Sequence, residues 1–347
     1  MNSQINQNTT FVILHKTKSN ITKQLLRYLS KYYPNENYIF ADGDDSDELN
    51  SYIELLNFNS LKYFHAQDLT INHFFMKISQ ALDMVETKYS MFIEFDDFIF
   101  PESIQHLEDF LDNNNDYISC GYPIPGIEVS KKNVYYYDQF TPEHSVNAHE
   151  DNSLANRIKS FKNFYVSYFD LYRTDVLIEM NNSVKECQLS SIMMYEFILA
   201  FSAICLGKQK RLRNGIHYIR QFNTSLETNL VQGQFVREML EKNFTQDLNL
   251  AHTHILNKYI PKNLQEFYSE EFFNFFQDYT EKRIFRNFMR QKLRRIGLGW
   301  IHRQKFFKKK KNIISFIRSS DNIASQNKDA IHCLNNFLME DFNETSK

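Results

Sequence analysis

The sequence predicts an α/β fold built on a mostly parallel sheet that is flanked by helices. Short apolar segments rich in β-forming residues alternate with segments whose apolar residues recur at helical spacing. Parallel strands need helical crossovers of this kind, and such strands are buried on both faces. With 347 residues, 42% of them apolar, the chain suits one large α/β domain with an extension, or two domains.

Strands and helices alternate through the first hundred residues. The first four predicted strands lie at 10–14, 37–45, 61–66 and 90–95. Helical spacing predicts helices after the first and third strands, and Pro101 suits the first turn of a helix after the fourth.

The pattern beyond residue 115 is mixed. The Tyr- and Phe-rich segments "NVYYYDQF" (133–140) and "FYVSYFDLYRTDVL" (164–177) both predict strands. Residues 190–209 predict a buried helix that ends at Gly207, and residues 211–223 predict a further strand. The remaining sequence has a helical pattern.

The composition predicts a cytoplasmic protein without a membrane-spanning segment. The four cysteines are far apart in the sequence and form no Cys-x-x-Cys pair, which is typical of reduced thiols and not of a disulfide framework or a zinc site. The first ten residues are polar and uncharged, unlike a signal peptide, and the longest apolar run, at 197–207, is too short to cross a bilayer. The protein is expected to be soluble or to lie on a membrane surface.

Three carboxylates follow the fourth predicted strand. Glu94, Asp96 and Asp97 come directly after the apolar residues "SMFI", and the first and second strands also end in polar groups, at 15–18 and 42–45. Ligands of parallel α/β sheets bind outside the carboxyl ends of the strands, so these groups are expected to converge. Carboxylate oxygens suit Mg²⁺ or Mn²⁺, which would neutralise a diphosphate leaving group.

A purely structural interpretation of the same residues stays open. Asp96 and Asp97 precede Pro101, and acidic residues at the start of a helix interact favourably with the helix dipole. Residues 42–45 also fit a solvated turn. Lys77 fits a helix side chain whose charge reaches solvent.

Five segments resemble, in order and spacing, those of family-2-like nucleotide-sugar glycosyltransferases of the GT-A fold. They are "TFVILHKTKSN", "YIFADGDDSDE", "FFMKISQALDMVETKYSMFIEFDDFIFP", "FYVSYFDLYRTDVL" and "YEFILAFSAICLGKQKRL". The resemblance covers about residues 10–223. It implies a Rossmann-like GT-A domain at 1–225, with a nucleotide-sugar-binding half at 10–115 and an acceptor half at 116–225. A helical, basic C-terminal extension follows at 226–347.

The resemblance also implies roles for single residues on the donor side. His15 and Lys18 lie in what looks like the loop that contacts the nucleotide base. Asp42 resembles the acid that hydrogen-bonds the base or the ribose, and Lys77 resembles a basic residue that approaches the diphosphate. These residues are predicted to bind the donor.

The residues from Glu94 to Asp97 resemble an Asp-x-Asp-type metal motif, with two departures from it. Phe95 stands where many relatives carry an acid, and Glu94 replaces the usual first Asp, so Glu94 is assigned to donor binding. Asp96 and Asp97 are the predicted metal ligands, and His217 is the predicted third ligand. A lone His at a strand end is more often an ordinary structural residue, and the need for a metal stays open.

Two further residues are candidates for the chemistry. An inverting glycosyl transfer needs a base that takes the proton of the acceptor hydroxyl. Glu196 lies in the apolar helical segment "MMYEFILAF", where a carboxylate is either paired or has a raised pKa, and it is the predicted base. The alternative is that Glu196 faces solvent or pairs with a buried arginine. Arg220 is predicted to bind donor phosphate oxygens bidentately.

The segment 282–318 contains fourteen Lys and Arg residues and neither Asp nor Glu, with apolar residues and Trp300 between the charges. An amphipathic segment of this composition is typical of binding to anionic membrane surfaces. A packed helix with a solvated basic face is the closest alternative. Binding to nucleic acid through the same charges ranks third, and no nucleic acid is expected.

The sequence therefore predicts a glycosyltransferase that moves a sugar from a nucleotide-diphosphate donor to a glycan or lipid-linked acceptor, in bacterial surface polysaccharide synthesis. The enzyme is expected in the cytoplasm or on the inner face of the cell membrane, with Mn²⁺ or Mg²⁺ as cofactor. Two alternatives remain: a GT-A-like binding module that has lost catalysis, and a nucleotidyltransferase. Assembly into a homo-oligomer is left open.

Overall fold

The computed structural model describes residues 8–16, 19–46, 48–130, 133–137, 149–163, 168–213, 215–221, 242–295, 311–319 and 325–345. The strands are β1 (Thr9–His15), β2 (Asn37–Asp42), β3 (Leu61–His65), β4 (Tyr89–Glu94), β5 (Phe98–Ile99), β6 (Tyr117–Gly121), β7 (Gly126–Ser130), β8 (Asn133–Tyr137), β9 (Leu171–Arg173), β10 (Lys208–Arg211) and β11 (Tyr218–Gln221). The helices are α1 (Ser19–Tyr32), α2 (Glu48–Glu54), α3 (Ile71–Asp83), α4 (Ile104–Asn113), α5 (Leu154–Lys159), α6 (Thr174–Cys187), α7 (Ile192–Leu206), α8 (Lys242–Tyr259), α9 (Gln265–Arg295), α10 (Ile313–Ser319) and α11 (Ser325–Thr345).

A seven-stranded sheet forms the centre of the fold, in the order β10-β6-β9-β4-β1-β2-β3. Neighbours among the first four strands are parallel, β10 is parallel to β6, and β9 is antiparallel to both β4 and β6. The predicted α/β fold with a mostly parallel sheet is confirmed.

The side chains of β1 show why this sheet is buried on both faces. Phe11 and Ile13 belong to one hydrophobic core, and Val12 and Leu14 belong to the other. Because successive side chains of a strand point to opposite faces, a continuous apolar segment supplies both cores.

The strand register brings the polar strand ends together. His15 at the end of β1 is paired with Asp42 at the end of β2, and Leu14 is paired with Glu94 at the end of β4. The polar residues that follow three separated apolar segments therefore lie side by side at the carboxyl edge of the sheet.

A second sheet has the strand order β5-β11-β7-β8, and its strand β5 follows the acidic strand end directly in the sequence. In its antiparallel pair, Phe98 and Ile99 of β5 face Ile219 and Tyr218 of β11. Because β5 begins one residue after Asp97, this pairing places β11 beside the carboxylates.

The segment 164–177 differs from the prediction of one long strand. In its described part, only Leu171–Arg173 is a strand, and α6 begins at Thr174. Leu177, Met180 and Val184 are buried at helical spacing on α6. The sequence pattern did not predict α6, because most of its helical periodicity lies beyond residue 177, where the segment ends.

The helices after residue 225 complete both cores of the fold. Buried residues of α8 and α9 pack in the core that contains α3, α6 and α7, and buried residues of α10 and α11 pack in the core that contains α1 and α4. The division at residue 225 remains a prediction, but these helices are in contact with the sheet's own helices. None of the helices in the described ranges has the length and hydropathy needed to cross a bilayer.

Candidate active site

Four carboxylates and one arginine lie close together at the carboxyl edge of β4. The pKa of Glu94 is raised to about 8 by burial and by the negative charges of Asp96 and Asp97, against the positive charge of Arg220, and Glu196 raises it further. Charges that act on one another in this way are neighbours in space. The structure thus brings together five of the residues predicted from sequence.

Protein groups already hold Asp97 in place. Its Oδ2 atom accepts a hydrogen bond of 2.7 Å from the Tyr218 hydroxyl, and its Oδ1 atom accepts one of 2.9 Å from the Gln221 N–H. The Tyr218 hydroxyl in turn accepts a hydrogen bond of 3.1 Å from the Glu94 N–H. Asp97 is 1% exposed, and it therefore fastens β11 to the acidic strand end.

Arg220 is the cation of this cluster. Its Nε atom is 3.6 Å from Asp97 Oδ2, and its guanidinium lies over the Phe169 ring at 5.1 Å. Burial raises the pKa of Asp97 to about 7, although Arg220 and the hydrogen bonds from Tyr218 and Gln221 oppose that rise. The side chain of Arg220 is 36% exposed, so it can reach a ligand while it offsets the negative charge.

The carboxylates fit a divalent cation only in part. Among the residues that the structure describes, no group of three or more His, Cys, Asp or Glu side chains is arranged to hold a metal ion. Both oxygens of Asp97 accept hydrogen bonds, whereas Glu94 and Asp96 are half-buried beside it. Mg²⁺ is often held by one or two carboxylates together with substrate phosphate oxygens, and Glu94 and Asp96 suit that arrangement.

His217 is not placed to bind a metal, and its prediction as the third ligand is wrong. The Tyr122 N–H donates to Nδ1 at 3.1 Å, and Nε2 lies 2.9 Å from the Phe169 carbonyl oxygen, to which it donates. With both ring nitrogens engaged and the residue 0% exposed, no lone pair faces the carboxylates.

His15 and Asp42 form a buried pair at the ends of β1 and β2. His15 Nδ1 is 2.7 Å from Asp42 Oδ1, and the Tyr63 hydroxyl donates to Asp42 Oδ2 at 2.9 Å. Burial acts to raise the pKa of Asp42, but the hydrogen bonds from His15, the Asp44 N–H and Tyr63 lower it below its usual value. Asp42 is therefore an ionised carboxylate that fixes the orientation of the His15 ring.

Lys77 does not point into open space, which contradicts its predicted contact with a diphosphate. Its ammonium group donates to the His15 carbonyl oxygen at 2.7 Å and to Asp68 Oδ2 at 2.5 Å, and both side chains of the ion pair are 0% exposed. A Cβ atom at Gly43 would collide with both of these side chains. Lys77 therefore supports the end of β1 at His15, and Gly43, which has no side chain, leaves space for the Lys77–Asp68 pair.

Substitution of Lys77 by Met is expected to lower the free energy of unfolding by about 3–5 kcal/mol, because it leaves the Asp68 carboxylate buried without its ion pair. Urea denaturation would measure this change. Lys23→Met is the matched control, because Lys23 pairs with Glu48 at the exposed surface. A loss below about 1 kcal/mol for Lys77→Met would show that the pair is not a structural support.

Glu196 lies on α7 between buried aromatic neighbours, but its own side chain is exposed. It lines a small cavity together with Phe92 and Tyr168, which stack on each other at 5.1 Å. Its negative charge raises the pKa of Glu94 and of Arg220. Glu196 on α7 is thus a further carboxylate whose charge acts on the acidic cluster.

Two buried histidines each contribute a loss of stability in acid, which the raised pKa values of Glu94 and Asp97 oppose. Burial and nearby arginine charges lower the pKa of His149 to about 4 and that of His217 to about 3. Below the unfolded value of about 6.5, the unfolded chain binds two protons that the folded chain does not, so stability is present above that pH and is lost as the pH falls toward 4. At pH 5, each histidine should lower the free energy of unfolding by about 2 kcal/mol relative to neutral pH.

Urea denaturation at several pH values between 7 and 4.5 tests this dependence. The stability of His149→Gln relative to the native chain is expected to increase as the pH falls through this range, and substitution of the exposed His106 by Gln is the control. Equal slopes for the native chain and His149→Gln would contradict the assignment.

Lys18 and most of the basic segment 282–318 lie outside the residues whose side chains are described, so their predicted roles stay predictions. The sequence patterns also failed to indicate residues that the structure places at the site. Tyr218 was the one that the sequence could have indicated, because it stands two positions before Arg220 in a strand and so lies on the same face. Asp68 and Tyr63 gave no such signal, since only the tertiary structure brings them to Lys77 and Asp42.

Comparison with known proteins shows the fold. No protein-family model matches the sequence. No curated protein sequence is detectably similar to it. Three crystal structures of S. aureus TarS 1–349 are similar in structure at 15% identity, each covering 97% of this chain and 89% of the other. The TM-scores are 0.55 for TarS alone, 0.53 for its complex with UDP and 0.54 for its complex with UDP-GlcNAc. The chain therefore shares the fold of TarS 1–349, an α/β fold with a central sheet flanked by helices, as its sequence predicts.

Proposed function

We propose that this chain is a glycosyltransferase that moves a sugar from a nucleotide-diphosphate donor to a glycan or lipid-linked acceptor. The observation that carries the proposal is the acidic cluster of Glu94, Asp96 and Asp97, which has Arg220 within it and Glu196 facing it. The cluster lies at the carboxyl edge of the sheet, where ligands of α/β folds bind. The complexes of TarS with UDP and UDP-GlcNAc support a UDP-sugar as the first donor to test.

In the proposed reaction, the acceptor hydroxyl loses its proton to the Glu196 carboxylate as its oxygen attacks the anomeric carbon of the donor sugar. The bond from that carbon to the diphosphate oxygen breaks, and the configuration at the carbon inverts. Arg220 would stabilise the negative charge that the leaving diphosphate gains, and its 36% exposed side chain beside Asp97 supports this role. Glu94 and Asp96 would hold Mn²⁺ or Mg²⁺ against the diphosphate, where the ion would supply further charge neutralisation.

The donor base and ribose would lie at the ends of β1 and β2, beside His15 and Asp42. These two residues hold each other in one orientation, which is the kind of preorganisation that a binding site needs. Lys18 would extend the same loop.

Calorimetric titration with UDP-GlcNAc and other nucleotide-sugars, with and without Mn²⁺, tests the proposal when it is combined with an assay for released nucleotide. Binding together with nucleotide release supports a transferase. Binding without release under any acceptor condition supports the alternative of a binding module, which the engagement of both Asp97 oxygens within the protein favours. Absence of binding to every nucleotide-sugar would overturn the proposal.

We also propose that the basic segment 282–318 holds the enzyme on the inner face of the cell membrane, where a lipid-linked acceptor for bacterial surface polysaccharide would be found. Its fourteen positive charges and interleaved apolar residues support this placement. Co-sedimentation with anionic vesicles, compared with zwitterionic ones, measures the interaction. Equal sedimentation with both kinds of vesicle would contradict it.

A further inference from the structure

We propose that Asn327, on helix α11 near the end of the chain, is a positioning residue for the proposed glycosyl transfer, because it fastens the strand that carries Tyr218 and Arg220. This inference rests on the proposed function for its catalytic part. It assigns a role in the active site to a helix that begins a hundred residues after the predicted catalytic domain ends.

Asn327 is 1% exposed, and its amide binds one segment of backbone in both directions. Its Nδ2 atom donates to the Ile216 carbonyl oxygen at 3.0 Å and to Ser103 Oγ at 2.5 Å, and its Oδ1 atom accepts from the Ile216 N–H at 3.4 Å. Ser103 Oγ also donates to the Ile216 carbonyl oxygen, at 2.7 Å. The backbone of Ile216 thus has both its donor and its acceptor satisfied by α11.

The held segment leads directly into the active site. Two residues after Ile216, the hydroxyl of Tyr218 joins Asp97 to the backbone of Glu94. Two residues later, Arg220 lies against Asp97 and over the Phe169 ring. Displacement of Ile216 would therefore move the cation and the tyrosine that organise the carboxylates.

The other end of α11 is fastened to the donor side of the sheet. Asp341 accepts hydrogen bonds of 2.8 Å from Arg27 Nε and Gln24 Nε2 on α1, the helix that starts at Ser19, four positions after His15. Between its two ends, the helix buries Ile331, Leu334 and Leu338, among other apolar residues, in the core. Helix α11 thus connects the middle of α1 to the segment before β11.

All the hydrogen bonds of the Asn327 side chain go to the Ile216 backbone and to Ser103. Because hydrogen bonds are directional, they fix the position of Ile216 more strictly than apolar packing does. The loss of the Asn327 amide leaves the Ile216 N–H buried without its partner and leaves the Ile216 carbonyl oxygen with the Ser103 hydroxyl alone, so that segment has to shift to regain a hydrogen bond. A shift of about 1 Å at catalytic groups is enough to lower a rate about a hundredfold.

The test compares Asn327→Ala with Asp341→Ala in the full chain. Both variants weaken the attachment of α11, but only the first releases Ile216. Hydrogen exchange of the backbone amides at 216–221 and UDP release from UDP-GlcNAc are the two measurements, together with the dissociation constant for UDP. Ser103→Ala, which removes one linking hydroxyl and leaves α11 unchanged, serves as the milder variant if Asn327→Ala does not fold.

For Asn327→Ala we expect exchange at 216–221 to be faster by about tenfold or more, and UDP release to be slower by about ten- to a hundredfold through kcat. In Asp341→Ala, the exchange rate at 216–221 and kcat should both stay within about threefold of the native values, even if this variant loses as much stability as Asn327→Ala. Native exchange at 216–221 in Asn327→Ala and Ser103→Ala would overturn the proposal, as would equal rate losses in the asparagine and aspartate variants. A native chain that binds no nucleotide-sugar would instead overturn the proposed function and the catalytic part of this inference, while the exchange measurement still decides whether Asn327 holds β11.

Discussion

Replacement of Glu196 by Gln is expected to lower kcat for sugar transfer by about 10²–10⁴-fold, because the amide keeps the size of the side chain but takes no proton from the acceptor hydroxyl. Donor affinity should stay at the native value or increase. The charge of Glu196 acts on Glu94 and Arg220, so its removal reduces the negative charge that a diphosphate meets. Steady-state kinetics, with calorimetric titration of UDP, separate these two effects.

Glu186→Gln is the matched control for Glu196→Gln. Glu186 is 55% exposed on α6, where it pairs with Lys258, and its replacement should leave kcat unchanged. If Glu196→Gln turned over within about threefold of the native rate, Glu196 would not be the base, and Glu94 would be the next carboxylate to examine.

Arg220→Ala is expected to have the largest effect on donor binding. The side chain lies beside Asp97 and is 36% exposed, and it opposes the rise in the pKa of both Glu94 and Asp97. Its loss leaves a cluster of negative charge that repels the donor and also removes a charge-assisted hydrogen-bond donor. We expect a loss of about 2–5 kcal/mol in UDP affinity, which is about thirty- to several thousandfold in the dissociation constant.

Arg220→Lys keeps the charge but not the planar fork, and it should recover only part of the affinity. Arg213→Ala is the control, because Arg213 lies on the same stretch of chain and is exposed. Native affinity of Arg220→Ala for UDP in calorimetric titration would show that the arginine is structural and does not bind the donor.

Periodicity was sufficient to predict strands β1 to β4 and helices α1, α3 and α4, but it indicated neither α2 nor β5. Continuous apolar segments such as the one that ends at Leu14 can only be buried on both faces, and that requirement dictates a parallel sheet with helices on each side. The same rule places the residues that follow each strand at one edge of the sheet, so the positions of Asp42, Glu94 and Asp97 in the sequence are enough to group them.

Two assignments failed for a common reason. His217 and Lys77 are of the right residue types at the right places in the sequence, but a sequence does not show whether a polar atom is already satisfied. Both ring nitrogens of His217 form hydrogen bonds with the backbone of Tyr122 and Phe169, and Lys77 forms an ion pair with Asp68. Buried polar groups need partners, and long-range contacts supply them.

The sequence by itself determined the α/β architecture, the alternation of strands and helices in the first half and the acidic strand end, because these follow from local periodicity and from rules of chain connection. The tertiary structure alone decided which side chains face that strand end, since Arg220 and Glu196 reach it from two elements distant along the chain, and Asn327 of a third element holds the segment before β11. Hydrogen bonds and charge interactions between such elements depend on distances in space, and separation along the chain carries no information about them.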